Sequence, residues 1–361
     1  MQLAATSDMQ KNSIEEIYML RCLQLAKNGL GKAAPNPAVG CVIVHQQKII
    51  GEGYTSPYGG PHAEVNAIAS VKDKSLLSEA SLFVTLEPCS HFGKTPPCAD
   101  LIIKHSIANV IIGCSDPHLK VAGKGIAKLR QAGCNVTLGV LEAECRDHHK
   151  RFFRFQEDRR PYIILKWAQS SDGFMAPESS MRFDAPQPYW ITNKRSRQLV
   201  HKWRSEEQAI LVGTNTVLED NPELTTRHWH GNSPIRVILD KDLKIKGDYN
   251  VLDNKVKTLI ITQQIVTNDP KSTIIYEQID FNDHLAIEIA ELLFKHKIIS
   301  IIIEGGARTL STFINSGMWD EARVLTGCTN MDKGLKAPHL SGNIISEYNI
   351  MEDQVKIILN D

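Results

Sequence analysis

The chain is predicted to fold as two α/β layer domains in tandem, and three observations carry this. Its 361 residues exceed the usual size of a single domain. Short apolar runs alternate with helical patterns on both sides of a charged stretch, residues 146–160. The cysteines are unevenly placed, seven before residue 146 and only Cys328 after it, which marks two chemically different halves.

The first half reads element by element. Ser13 to Asn28 is a helix that opens on an S-x-x-E capping box, Ser13 with Glu16, and places Ile14, Ile17, Tyr18, Cys22 and Leu25 on one face. Gly29 and Gly31 end it. Val39–Val44 and Lys48–Glu52 are strands joined by a polar turn. A helix starts near His62 and runs through Ile68 and Val71, and Leu82–Leu86 is a strand that ends at Glu87-Pro88. Cys98–His105 and Gly125–Ala132 are helical, and Val110–Gly113 and Val136–Leu138 are strands. Cys22, Cys41, Cys114 and Cys134 sit in apolar segments and read as core.

Residues 146–160, RDHHKRFFRFQEDRR, combine dense charge with three phenylalanines. They read as a solvated helix end with an aromatic face packed on a neighbour, in preference to a nucleic-acid arm. The domain division follows: residues 1–147, a linker at 148–160, and residues 161–361. In the second half, strands are predicted at Tyr162–Trp167, Ala209–Val212, Ile235–Leu239, Thr258–Thr262 and Ile299–Ile303. Helices are predicted at Asn193–Arg204, His284–His296 and Ala307–Asn315. Turns and edge strands fill Lys241–Pro270.

Composition excludes several function classes. The 42% hydrophobic and 23% charged content is that of a globular protein. Lys and Arg total 41 against 41 Asp and Glu, which argues against a broad basic footprint for nucleic acid, although a local anion site needs only a few donors. The N-terminus lacks a secretory pattern and no apolar run reaches the ~20 residues of a membrane span. A cytoplasmic protein with reduced thiols is the expectation.

The chemistry concentrates in Pro61-His62-Ala63-Glu64 and in the segment Pro88-Cys89 to Pro97-Cys98. A catalytic zinc takes three protein ligands and keeps a fourth position for water, whose pKa it lowers toward neutrality. His62, Cys89 and Cys98 supply such a set. Glu64 lies two residues beyond His62 and reaches that water without being a ligand. H-x-E followed by P-C-x-x-C is the pattern of zinc deaminases. Here eight residues separate Cys89 from Cys98, and Gly93, Pro96 and Pro97 favour a loop between them. A structural site closed by His91 as fourth ligand is the alternative, but it leaves Glu64 without a role. Asn36, between two prolines, is either a turn residue or a substrate-facing amide. His91 and Lys94 are either surface residues or partners of an anionic group.

These residues resemble a known family. Pro35-Asn36-Pro37-x-Val39-Gly40, His62-Ala63-Glu64-Val65, and Thr85-Leu86-Glu87-Pro88-Cys89-Ser90-His91 through Thr95-Pro96-Pro97-Cys98 resemble the bifunctional riboflavin-biosynthesis deaminase/reductases. Trp190-Ile191-Thr192, Thr216-Val217-x-x-Asp220-x-Pro222-x-Leu224-Thr225 and Glu304-Gly305-Gly306 extend the similarity over nearly the whole chain. The resemblance implies a cytidine-deaminase-like N-terminal domain and a dihydrofolate-reductase-like C-terminal domain. The first would remove the 2-amino group of a diamino-pyrimidinone ribosylamine 5′-phosphate with zinc. The second would use NADPH to reduce the ribosyl group to ribityl. It also implies a homo-oligomer that acts on a small phosphorylated pyrimidine.

By the same resemblance, Asn36, His91 and Lys94 contact the deaminase substrate. Cofactor contacts fall on Ala168, Trp190, Thr216, Asp220, Gly306, Ala307, Arg308 and Thr309, and reductase substrate contacts on Arg204, Leu224, Arg227 and Glu304. Independently of it, Glu304-Gly305-Gly306 follows an apolar strand and opens a helix, where glycines admit a pyrophosphate to backbone N–H groups. Arg204 and Arg227 are chemically suited to a phosphate. Two positions depart from the family pattern. Thr55 stands seven residues before His62, where many relatives carry histidine. Pro188-Tyr189-Trp190 replaces Ser-x-Trp, after a segment, Pro177–Pro188, that is longer than usual. A nucleic-acid deaminase is the competing enzyme class, opposed by the balanced charge and the long inter-cysteine loop. The competing non-enzyme class is a structural zinc module joined to a nucleotide-sensing domain.

Overall fold

Helix α1 (Ile14–Ala26) begins at the capping box read from the sequence. The Ser13 hydroxyl accepts from the Glu16 N–H at 3.2 Å, and the Glu16 carboxylate accepts from the Ser13 N–H at 2.7 Å. Its buried stripe is Met19, Cys22, Leu23 and Ala26, an i, i+3, i+4, i+7 set, with Leu25 beside it. Ile14 and Ile17, which share a face with Cys22 and Leu25, are half exposed. The helix is apolar on two adjacent stripes, and only one meets the sheet.

The computed structural model describes residues 13–92, 96–117, 123–178 and 185–360. It divides into the units Met1–Phe153 and Arg154–Asp361. In the first, α1 is followed by β1 (Gly40–His45), β2 (Lys48–Tyr54), α2 (Ala63–Ser70), β3 (Ser81–Leu86), α3 (Cys98–Lys104), β4 (Asn109–Cys114), α4 (Lys124–Gln131), β5 (Asn135–Leu138) and α5 (Glu142–His148). The strands form one sheet ordered β2-β1-β3-β4-β5, antiparallel across β2-β1-β3 and parallel from β3 to β5.

Two glycines set how helices cover this sheet. A Cβ on Gly40 would lie 1.9 Å from the Cys22 carbonyl oxygen of α1, and one on Gly53 would lie 2.3 Å from the Ala67 nitrogen of α2. Cys41 pairs with Gly53 and therefore shares its face, while its neighbour Gly40 points the other way. Helices α1 and α2 thus press on opposite faces, each at a position only glycine tolerates. Cys22, Cys41 and Cys114 are buried as expected, whereas Cys134 is only half buried.

The division between units falls inside α6 (Lys150–Glu157). Phe152 and Phe153 join the first core, and Phe155 stacks on Phe294 at 4.6 Å within the second unit. That unit continues with β6 (Tyr162–Gln169), β7 (Phe174–Ala176), α7 (Lys194–Glu206), β8 (Ala209–Gly213), α8 (Thr214–Asp220), β9 (Ile235–Leu239), β10 (Thr258–Thr262) and β11 (Ile274–Gln278). Then come α9 (Leu285–Lys295), β12 (Ser300–Gly305), α10 (Ala307–Asn315), β13 (Glu321–Thr326), β14 (Leu335–Lys336), β15 (Asn343–Ile350) and β16 (Asp353–Leu359).

Its main sheet has nine strands in the order β11-β10-β9-β8-β12-β6-β13-β16-β15, parallel from β11 to β13 and antiparallel beyond. Alternation along β6 builds two cores. Ile163, Leu165 and Trp167 pack with α9 and α10, while Tyr162 and Ile164 pack with α7. Strand β10 lies wholly buried between β9 and β11 rather than at an edge, and four strands beyond Asn315 lie outside the sequence expectation. Among the described residues no helix is long and apolar enough to cross a membrane.

Two histidines lock the end of the first unit onto its sheet. His148 Nε2 lies 2.7 Å from the Ala38 carbonyl oxygen, and His149 Nε2 lies 3.0 Å from the Thr85 hydroxyl, which also accepts from the Gly40 N–H. Burial lowers His148 to about 4 and also lowers His149 well below its ordinary value, with His148 adding to the latter effect. Both fold neutral, whereas the unfolded chain takes up protons near the ordinary histidine value of about 6.5. Their contribution is therefore complete above that pH and is lost as pH falls toward 4, by about 1.4 kcal/mol per pH unit for each histidine. Denaturant unfolding at pH 7 and pH 5 checks this. The wild type should lose more stability between the two than His148→Gln/His149→Gln, and equal losses would contradict it.

Candidate active sites

In the first unit three donors come from separate segments. His62 is the N-cap of α2 in extended conformation (ψ 167°), Cys89 follows β3, and Cys98 is the first residue of α3. His62 Nδ1 lies 3.7 Å from Cys89 Sγ and 3.4 Å from Cys98 Sγ, and the three donor atoms lie within 4.8 Å of one another. A tetrahedral zinc at ordinary bond lengths sets N···S edges of about 3.5 Å, so the donor set fits that ion. The metal-free chemistry fits as well. Hydrogen bonding from Cys98, opposed by burial and helped by His62, lowers Cys89 to about 4, while Cys98 is pushed up. Between them the pair holds one thiolate ready for a cation.

Glu64 lies in the first turn of α2 and is buried, but it is outside the donor group. Burial, then the nearby Cys89, pushes its carboxyl up. His91, the alternative fourth ligand, is exposed and does not join the three donors. Asn36 is half buried in the turn before β1, and its N–H donates to the Ala33 carbonyl. Lys94 lies outside the described residues. Thr55 is buried and its hydroxyl accepts from the Val39 N–H at 2.9 Å. It ties the β1 entry to the end of β2.

Glu87, two residues before Cys89, pins the end of β3 to the chain at residues 116 and 123–126. Its buried carboxylate accepts from the backbone N–H groups of Asp116, Gly123, Gly125 and Ile126 at 2.9–3.3 Å.

The second unit carries a cleft of about 1070 Å³ beyond the carboxyl ends of β6, β8, β9 and β12, where open α/β sheets bind their ligands. All eight expected cofactor positions line it: Ala168, Trp190, Thr216, Asp220, Gly306, Ala307, Arg308 and Thr309. So do the four expected substrate positions, Arg204, Leu224, Arg227 and Glu304. Gly306 caps α10, whose first N–H groups receive no side-chain cap, and a Cβ there would press to 3.3 Å on the Thr216 hydroxyl. The volume lies at the upper end of ligand pockets and suits a dinucleotide with a second small molecule. Pro188 lies on the same cleft wall; the Pro177–Pro188 segment is described at 177–178 and 185–188 only.

The cleft also contains residues that sequence reasoning missed. Lys166, His201 and Lys241 line it. Lys166 had a visible signal, a charge inside the apolar strand Tyr162-Ile163-Ile164-Leu165-Lys166-Trp167. Glu304 is the hub. Arg204 Nε and Nη2 each donate to it at 2.7 Å, and Lys166 Nζ lies at 3.5 Å. Burial works to raise the Glu304 carboxyl, but Arg204 and Lys166 outweigh it and hold it at about 2. Burial in turn lowers Lys166 despite Glu304.

Removing the central charge leaves two cations, each only 13% exposed, without their shared partner. Glu304→Gln should lower the unfolding free energy of the second unit by about 3 kcal/mol, read by denaturant titration. A loss below about 0.5 kcal/mol, the scale of an exposed pair, would contradict the network.

Known proteins match both units. Residues 12–114 match the cytidine and deoxycytidylate deaminase zinc-binding region, and residues 161–329 match the RibD C-terminal domain. The riboflavin biosynthesis protein RibD of Aquifex aeolicus is 39% identical over 92% of both chains. That of Escherichia coli is 34% identical over 86% of both. A solved diaminohydroxyphosphoribosylaminopyrimidine deaminase/5-amino-6-(5-phosphoribosylamino)uracil reductase from Thermotoga maritima superposes with a TM-score of 0.87 at 34% identity, covering 96% of this chain and 99% of that one. Acinetobacter baumannii RibD gives 0.86 at 30% identity with the same coverage. The chain belongs to the RibD family, which joins a zinc-dependent deaminase and an NADPH-dependent reductase of riboflavin biosynthesis in one polypeptide.

Proposed function

We propose that the first unit deaminates 2,5-diamino-6-ribosylamino-4(3H)-pyrimidinone 5′-phosphate and that the second reduces the product's ribosyl group to ribityl. The single observation that carries the first step is the meeting of His62, Cys89 and Cys98 with Glu64 beside them but outside the donor set. His62, Cys89 and Cys98 would hold zinc, which when bound would supply a Lewis acid for water near neutral pH. Glu64 takes a proton from the attacking water and returns it to the departing amine, acting first as base and then as acid. Asn36, His91 and Lys94 grip the substrate.

For the second step, the Gly306–Thr309 backbone at the start of α10 receives the cofactor's phosphates. Ala168, Trp190, Thr216 and Asp220 complete the cofactor wall, and NADPH supplies the hydride. At the substrate end Arg204 orients Glu304. Two of its nitrogens are committed to Glu304, and a third donates to the Thr225 carbonyl. Of the two arginines at substrate positions, Arg227, paired with Glu223, is the one left for the substrate's phosphate. Leu224 shapes the wall beside it. The proposed working division is residues 1–147 and 161–361, joined through 148–160.

Glu64→Gln tests the mechanism. The variant should keep its zinc and release ammonia about 10²–10⁴-fold more slowly, while reduction of already deaminated substrate proceeds at the wild-type rate. Ammonia release at the wild-type rate would remove Glu64 from the chemistry.

A further inference from the structure

The segment 222–227 bears two of the substrate positions, Leu224 and Arg227, yet belongs to no helix or strand. Two left-handed residues, Asn221 (φ 41°) and Leu224 (φ 54°), bend it. Such a segment presents a side chain reproducibly only when its backbone is tied down. Beneath it, the fully buried Arg236 donates through Nε to the Glu223 carbonyl at 2.9 Å. Within the loop, Thr226 donates its N–H to the Ser233 hydroxyl and its own hydroxyl to the Asn232 carbonyl, both at 3.1 Å. The remaining ties come from α7. Arg204 Nη1 donates to the Thr225 carbonyl at 3.3 Å, and His201 Nδ1 accepts from the Arg227 N–H at 3.1 Å.

His201 differs from the other ties because it holds the amide of the residue that carries the guanidinium. It is 5% exposed, borders the cleft, and sits three residues before Arg204 on the same helix face. Its ring meets that of His228 edge-on, with centroids 4.7 Å apart. Because Nδ1 accepts, Nε2 carries the ring's proton. Burial, reinforced by Arg204, His228 and Arg227, lowers the imidazole to about 4, so the acceptor persists at neutral pH.

We propose that His201 is a positioning residue for the reductase: through the Arg227 N–H it sets the direction in which Arg227 presents its guanidinium to the phosphate of the substrate. This rests on the reductase reading above. It acts through Arg227 and requires no contact with the reacting atoms. An ordinary core histidine in the same place would matter for folding alone, so the test must separate position from stability.

Asparagine places an amide oxygen near the position of Nδ1, whereas glutamine extends its amide toward Nε2, and both fill much of the ring's space. In the full-length protein with saturating NADPH and varied deaminated substrate, His201→Gln should raise KM about tenfold with kcat within about twofold and NADPH affinity unchanged. His201→Asn should stay within about threefold of wild type on every parameter. In an Arg227→Ala background, His201→Gln should add no further rise in KM. Equal defects in the two His201 variants, an unchanged KM in His201→Gln, a loss of NADPH affinity instead, or a full additional penalty on Arg227→Ala would each overturn the proposal. Absence of reduction by the wild type would instead remove the reductase reading on which it stands.

Discussion

The first unit depends on three donors from distant parts of the chain arriving at one point. His62 and Cys98 are separated by 36 residues, yet their donor atoms lie 3.4 Å apart. Each element that brings them there ends at the site: α2 starts on His62, β3 runs out just before Cys89, and α3 starts on Cys98. A second ring of contacts keeps those ends from drifting. Glu87, two residues before Cys89, gathers four backbone amides, and the Cys98 N–H donates to the Cys89 sulfur at 3.3 Å. The close helix approaches at Gly40 and Gly53 hold the sheet that carries them. Outer contacts of this kind orient ligands and tune their chemistry.

The second unit meets a related problem with charge rather than with metal ligands. The side chains of Lys166, Arg204 and Glu304 line the cleft and are only 7–13% exposed, so unpaired charge there is costly. One carboxylate serves two cations, so all three side chains are fixed together. Arg204 then reaches on to the Thr225 carbonyl, linking this charged network to the loop that carries Leu224 and Arg227. The same helix face therefore orders both the charged network and one wall of the cleft.

Much of the metal site was legible because ligand chemistry is local: H-x-E and two spaced cysteines speak before any fold is known. The capping box of α1 and the Glu304-Gly305-Gly306 turn were legible for the same reason. Long-range facts were not. Periodicity could not choose between two apolar stripes on α1, and Ile14 and Ile17 are half exposed. Strand β15 is mostly exposed and its apolar residues do not alternate, and β16 alternates weakly, so neither declares itself without its partners. Thr55 resembles a lost substrate contact in sequence and proves to be a backbone tie, a role visible only once Val39 lies beside it. His201 lies on a helix rich in Lys and Arg, and nothing local distinguishes its cleft-facing ring from a surface residue.

The central claim is that the chain couples a zinc-dependent loss of ammonia to an NADPH-dependent reduction in separate units. Parallel accounting of ammonia and NADPH with the diamino substrate, before and after removal of zinc by a chelator, tests it most directly. The account predicts equimolar ammonia release and NADPH oxidation with zinc present. Without zinc, ammonia release should stop while reduction of already deaminated substrate continues. Ammonia release that survives removal of the metal, or reduction of deaminated substrate that ceases with it, would contradict the account.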